Sequence, residues 1–210
     1  MIKIMKMLKN TLLVLFFTTC NILNTQYTKE EIKKHPCIIG STAFVLMNFV
    51  PDDESPNFAQ LNIGYRISTK DVVSLELKQW RYFEPLGIPW GPSKTDPNEN
   101  FLGYIREKGF AIAYQRFLWK GLYTAVHVMS AWQDFINQND KKIDSGFQIF
   151  NTYRIGYHFN FFKKRFFIEP SLAITHRPYH TEMPIGFKQQ DDKWSKFFFA
   201  EPGLHFGFNF

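Results

Sequence analysis

The sequence predicts an all-β fold, an eight-stranded antiparallel up-and-down barrel, and three observations predict it. Eight runs of strand length alternate apolar with polar residues. The connections between them alternate short with long. The last run, EPGLHFGFNF, keeps its alternation through residue 210. Period two marks a strand with one apolar face. A meander in which every second connection is long gathers its loops at one end.

The runs can be justified in order. CIIGSTAFVLMNFV (37–50) opens the series and is apolar on both faces in its second half. FAQLNIGYRIS (58–68) sets Ala59, Leu61, Ile63, Tyr65 and Ile67 against Gln60, Asn62, Gly64, Arg66 and Ser68. VVSLELKQWRYF (72–83) sets Val73, Leu75 and Leu77 against Ser74, Glu76, Lys78, Trp80 and Tyr82. GFAIAYQRFLW (109–119) carries Gln115 and Arg116 side by side, which leaves its facing open. LYTAVHVMSAWQDF (122–135) sets Val126, Val128 and Trp132 against His127, Met129 and Gln133. In GFQIFNTYRIGYHFNF (146–161), Phe147, Ile149, Tyr153, Ile155, Tyr157 and Phe159 oppose Gln148, Thr152, Arg154, Gly156, His158 and Asn160. FFIEPSLAITHRPY (166–179) gives Ile168, Leu172 and Ile174 opposite Glu169, Ser171, Ala173, Thr175 and Arg177. The final run places Ala200, Leu204, Phe206, Phe208 and Phe210 opposite Glu201, His205 and Asn209. No helical stripe of any length is expected after residue 37.

The short connections read STKD, KG and KKR. The long ones read PDDESPN, the stretch from Glu84 to Lys108, INQNDKKIDS and HTEMPIGFKQQDDKWS. Lys70, Lys120, Lys163, Lys164 and Arg165 fall in the short set. Asp52, Asp53, Glu54, Asp96, Glu99, Asp191 and Asp192 fall in the long set. Aromatic belts are expected at the strand ends, with Trp80, Tyr82 and Phe83 at one level and Trp119, Phe161, Phe162, Phe166 and Phe210 at the other. The longest loop also carries Leu86, Ile88, Trp90, Phe101 and Tyr104, a candidate binding surface on a rigid scaffold.

A chain of 210 residues suits one domain. The net charge of +6, with aromatics at 18%, admits a single-stranded nucleic-acid binder. The N-terminus argues against it. MIKIMKMLKNTLLVLFFTTC joins Lys3, Lys6 and Lys9 to an apolar core, Thr11 to Phe17, too short to span a bilayer as a helix. The expected organisation is therefore a signal peptide over residues 1–26, a short periplasmic segment over 27–36, and a barrel over 37–210. Cys20 distantly resembles a lipoprotein cleavage position, though Thr19 precedes it where a smaller residue is usual. Removal of the leader would leave Cys37 alone, with no disulfide framework and no cysteine metal site.

From these features the chain resembles the small eight-stranded outer-membrane barrels, the OmpA and OmpX type. The resemblance covers residues 37–210. It implies transmembrane strands, short periplasmic turns, long extracellular loops and residence in a Gram-negative outer membrane. It also implies outer-membrane lipid and lipopolysaccharide as surroundings. In that family the last strand, apolar at every second position and ending in an aromatic, is the sorting signal read by the barrel-assembly machinery. Leu204, Phe206, Phe208 and Phe210 match it. Nucleic acid is not an expected partner.

An eight-stranded barrel encloses room for little more than side chains. The expected inward set is a charge network of Arg66, Glu76, Lys78, Arg154, Glu169, Arg177 and Glu201, with His127, His158 and His205 among them. The leading expectation is a structural, adhesive or loop-mediated binding role. Two alternatives stay open. One is a lipid A-modifying enzyme, with Ser171, His176, His180 and Glu182 as nucleophile, base and orienting acid. These have the right residue types but lack the deacylase family's adjacent His-x-Ser. The same His176, His180 and Glu182 could ligate a metal. The other alternative is a soluble periplasmic lipocalin-like barrel, apolar inside and polar outside. No cofactor is expected, since the chain has no phosphate-binding loop, no CxxC and no HExxH.

Overall fold

The computed structural model describes residues 27–50, 55–83, 92–94, 96 and 98–210. The expected signal peptide, Cys20 and the acidic and apolar residues of 51–54 and 84–91 lie outside the described residues. The chain forms α1 (Lys29–Lys34), β1 (Cys37–Thr42), a 3-10 helix (Ala43–Phe49), β2 (Ala59–Arg66), β3 (Asp71–Tyr82), β4 (Gly103–Trp119), β5 (Leu122–Asn137), β6 (Lys142–Tyr157), β7 (Phe159–Phe161), β8 (Phe166–His180), α2 (Ile185–Asp191) and β9 (Phe197–Asn209).

Every strand pairing is antiparallel, and neighbours in sequence are neighbours in space. β6 and β7 are one line of strand interrupted at His158, since both pair with β8. β9 then pairs with β1, Gly40 opposite Gly207. The sheet thus closes into a ring of eight, with no unpaired edge left in it.

The facing is uniform. Ile63, Leu75, Ile112, Val128, Ile155 and Leu172 point away from the ring and are exposed, Ile112 at 61%. Arg66, Glu107, Arg154, His158, Glu169 and Arg177 point inward and are buried. Gln115 faces in, bonded to Glu169, and Arg116 faces out, bonded to Asp71. This is the reverse of the facing that a lipocalin-like interior requires. A buried apolar cluster of Ile38, Val72, Phe117, Tyr123 and Phe167 lies inside near the short turns.

Four expectations need correction. The strand expected over 37–50 stops at Thr42. Its side chain accepts from Phe44 N (3.4 Å) and starts the 3-10 helix. Asn48 then clamps both backbone groups of Phe58 at 2.7 Å, so the apolar segment folds back over the rim. Second, β4 starts at Gly103, β5 runs to Asn137 and β6 starts at Lys142, so the loop expected over 136–145 is a tight turn. Asn137 Oδ1 accepts from the N–H groups of Asn139 and Lys141, both at 3.0 Å. Long and short connections do not alternate without exception. Hydrogen-bonded pairing outlasts the apolar alternation because outward Arg106 and Lys108 face water there. Third, the last connection holds α2, a helix too short to show a stripe.

Fourth, Trp80 and Tyr82 face inward and do not form an outer belt. The outer aromatics at that level are Phe110, Trp132, Phe147 and Tyr179. Their ring centroids follow one another across β4, β5, β6 and β8 at 6.0, 5.4 and 6.3 Å. Near the short turns Phe161, Phe166 and Phe208 make a second outer series, at 6.1 and 5.1 Å.

Candidate functional site

Inward side chains of the strands stack as three hydrogen-bonded tiers. Nearest the short turns, His158 Nδ1 meets Glu169 Oε1 at 2.6 Å and Gln115 donates to the same oxygen at 2.9 Å. Tyr27, which precedes α1, enters this end. Its hydroxyl donates to Asn160 Oδ1 (2.7 Å) and accepts from Asn209 Nδ2 (3.0 Å). The Arg66 guanidinium lies 3.7 Å over the Tyr27 ring and donates to Asn209 Oδ1 at 3.0 Å.

In the middle tier Glu76 Oε1 pairs with His127 Nδ1 at 3.0 Å. Arg154 donates to Ser171 Oγ (2.9 Å) and lies 3.7 Å from Glu201 Oε1, while Glu201 Oε2 accepts from the Thr175 hydroxyl at 2.6 Å. Gly203 makes room for this guanidinium, because a Cβ there would collide with Arg154 Nη1. A cavity of about 50 Å³ opens between these groups. His127 Nε2, His205 Nδ1 and Arg154 Nε have no partner among the described residues, and their side chains line it. That volume suits a few water molecules with polar partners.

The upper tier centres on Glu107, 1% exposed. It accepts from Trp80 Nε1 (2.9 Å), Tyr82 OH (3.0 Å) and Gln148 Nε2 (2.5 Å). Gln133 donates to the Tyr82 hydroxyl. Above it Arg177 Nη2 meets Asp191 Oδ2 of α2 at 2.5 Å, both buried. Phe187 of α2 packs edge-on to Phe135 at 5.2 Å. Lys78 lies over the rings of Trp80 (4.6 Å) and Phe150 (4.8 Å).

All seven charges proposed for the network, from Arg66 to Glu201, thus sit on inward positions, in contact with polar or aromatic partners. Compensation of this kind is what lets ionised groups stand inside a protein, where an uncompensated charge costs several kcal/mol.

The catalytic candidates are not brought together. Ser171 faces the lumen, bonded to Arg154 and to Gly203 O (3.3 Å). His176 faces outward, stacked on Phe197 at 4.1 Å. His180 Nδ1 donates to the neighbouring Thr181 carbonyl at 2.8 Å, and Glu182 is exposed. A bulge between Asn151 and Ile149 shifts the phase of β8 after His176, which separates the two histidines further. No metal-ligating trio is found among the described residues.

Below the ring, α1 is tied in place. Thr28 and Glu31 form a reciprocal capping box, and Lys164 Nζ bridges to Glu31 at 2.9 Å. Partial burial raises the Glu31 pKa. The Thr28 N–H and Lys164 outweigh it and hold the carboxyl below its usual 4.5.

The charge network expected from the sequence left out Glu107, Tyr27 and Asp191; Gln148, Asn160 and Asn209 were set on the polar face without partners, and the facing of Gln115 was left open. Glu107 was legible, since Ile105 and Glu107 continue the odd-numbered inward set of β4 once the strand is extended. Tyr27 and Asp191 had no local sign, because each reaches the lumen from outside the strands.

No protein-family model, curated protein or solved structure matches the chain.

Proposed function

We propose that this protein is an outer-membrane β-barrel with a structural, adhesive or loop-mediated binding role, and that its lumen is packed with charged side chains. The observation that carries this reading is the facing of the ring: exposed aliphatic side chains outside, hydrogen-bonded charges inside. In water that surface would be an aggregation hazard. In a bilayer it is the required arrangement, and a closed ring satisfies every backbone group of the wall.

The two outer aromatic series support the same reading. At ~3.3 Å per residue and a ~40° tilt, the run from Phe147 to Phe159 rises roughly 30 Å, the thickness of a hydrocarbon core. Aromatic rings at both levels would sit among lipid headgroups, with lipopolysaccharide at the long-connection end. The outward Leu204, Phe206 and Phe208 of β9, with Phe210 beyond it, would be the surface that an assembly machinery reads before the ring closes on β1. Changing Phe206→Asp with Phe208→Asp should abolish membrane assembly and leave aggregate. Normal membrane levels of that variant would refute this role for β9.

Membrane fractionation with a heat-modifiability gel tests the reading. Recovery in the outer membrane, with a mobility shift between unboiled and boiled samples, is expected of a closed detergent-resistant barrel. A soluble band without a shift would refute it.

A further inference from the structure

We infer that the short-turn end is a docking surface for anionic phospholipid headgroups; the inference rests on the membrane reading above. Three features meet there. The first is unbalanced charge. Lys70, Lys120, Lys163 and Arg165 occupy the three short turns, are exposed, and form no ion pair among the described residues. Lys33 and Lys34 of α1 add to them. Of the acids at this end, Asp71 is held by Arg116 at 2.8 Å and Glu31 by Lys164, which leaves the exposed Glu30 of α1 against these six basic groups.

The second is apolar anchorage beside the charges. Phe162 is 80% exposed and Trp119 62% exposed, with Lys120 Nζ 5.0 Å from the Trp119 ring. An aromatic at headgroup depth with a cation beside it suits an interface where hydrocarbon meets phosphate.

The third is the backbone. Lys120, Phe162, Lys163 and Lys164 all have φ between 44° and 64°, a region where Gly, Asn or Asp is at ease. The turns keep long cationic and aromatic side chains where a smaller residue would relieve the strain. Retained strain of this kind points to a use for the side chains. Juxtamembrane basic residues attract anionic lipid by about fivefold each.

The test uses the refolded full chain in non-ionic detergent, mixed with equal amounts of phosphatidylglycerol and phosphatidylcholine, with retained lipid counted by native mass spectrometry. The wild type should retain phosphatidylglycerol over phosphatidylcholine by at least about fivefold. The variant Lys70→Gln/Lys120→Gln/Lys163→Gln should lose that preference while keeping its heat-modifiable shift. A wild-type ratio near one, or a preference unchanged in the variant, would overturn the inference. Insertion into phosphatidylcholine vesicles is scored in parallel. Insertion with a ratio near one refutes the lipid surface alone, whereas no insertion and no shift refute the membrane reading with it. Co-sedimentation with purified peptidoglycan through the same lysines, with no lipid preference, would overturn it in favour of an acidic polymer.

Discussion

The two ends of the ring are closed by different means and carry their charges differently. At the long-connection end, α2 reaches inward with Asp191 to Arg177, and three exposed lysines are paired with aspartates: Lys94 with Asp140 at 3.1 Å, Lys142 with Asp134 at 2.5 Å, Lys188 with Asp192 at 2.6 Å. At the short-turn end the plug is the Tyr27 phenol ahead of α1, Lys164 is held by Glu31, and Lys70, Lys120 and Lys163 form no ion pair among the described residues. Ion pairs at the long-connection end take up three exposed lysines, while Lys70, Lys120 and Lys163 at the short-turn end present their charges outward. Net charge alone would not show this difference, because it depends on which end of the wall each residue occupies.

The comparison can be broken at several points. The largest effect is expected for Arg177→Ala, which strands Asp191 as a buried charge and should cost about 3–5 kcal/mol. Hydrogen exchange should show residues 185–191 losing protection, with α1 unaffected. Loss of protection at both ends would mean that the plugs are coupled. On the outer face, Ile112→Arg should cost about 2–4 kcal/mol in urea titration of vesicle-inserted protein, because the position lies mid-wall. Arg106→Ala, outside the aromatic series on the same strand, should cost close to nothing.

Tyr27→Phe should cost about 1–3 kcal/mol by removing the hydroxyl shared by Asn160 and Asn209. Its effect should appear only at the short-turn end, as faster proteolysis of residues 27–36. The smallest effect concerns pH. Glu31 titrates below 4.5 in the folded protein, so its contribution is fully present above that value and is lost as pH falls through the depressed pKa. Protection of α1 should therefore decline below about pH 4.5, and more weakly at high salt because the pair is partly exposed. In Glu31→Gln that decline should vanish.

The wall of the ring was legible in the sequence because period two holds wherever one face is apolar and the other polar. Leu61 to Ile67 and Tyr153 to Phe159 are plain cases, and their facing in the structure is the one their alternation implies. Legibility stopped where that contrast did. Residues 43–49 are apolar on both sides, and side-chain clamps from Thr42 and Asn48 decide their path. Residues 103–108 and 136–145 have water on their outer side, so their pairing leaves no apolar rhythm. The inward charges could be named from parity alone. Their partners could not, because a pair such as Arg154 and Glu201 depends on how β6, β8 and β9 stagger. The catalytic candidates lie apart for a related reason: residue types near one another in sequence, Ser171 and His176, fall on opposite faces of one strand.

The central claim is that the exposed aliphatic face of the ring meets lipid. The most direct measurement is spin-label accessibility in reconstituted vesicles, with single labels at Ile112→Cys, Leu172→Cys and Arg106→Cys in a background carrying Cys20→Ser and Cys37→Ser. The account predicts high oxygen and low nickel-chelate collision rates at positions 112 and 172, and the opposite at 106. Equal access of the water-soluble chelate to all three positions would contradict it.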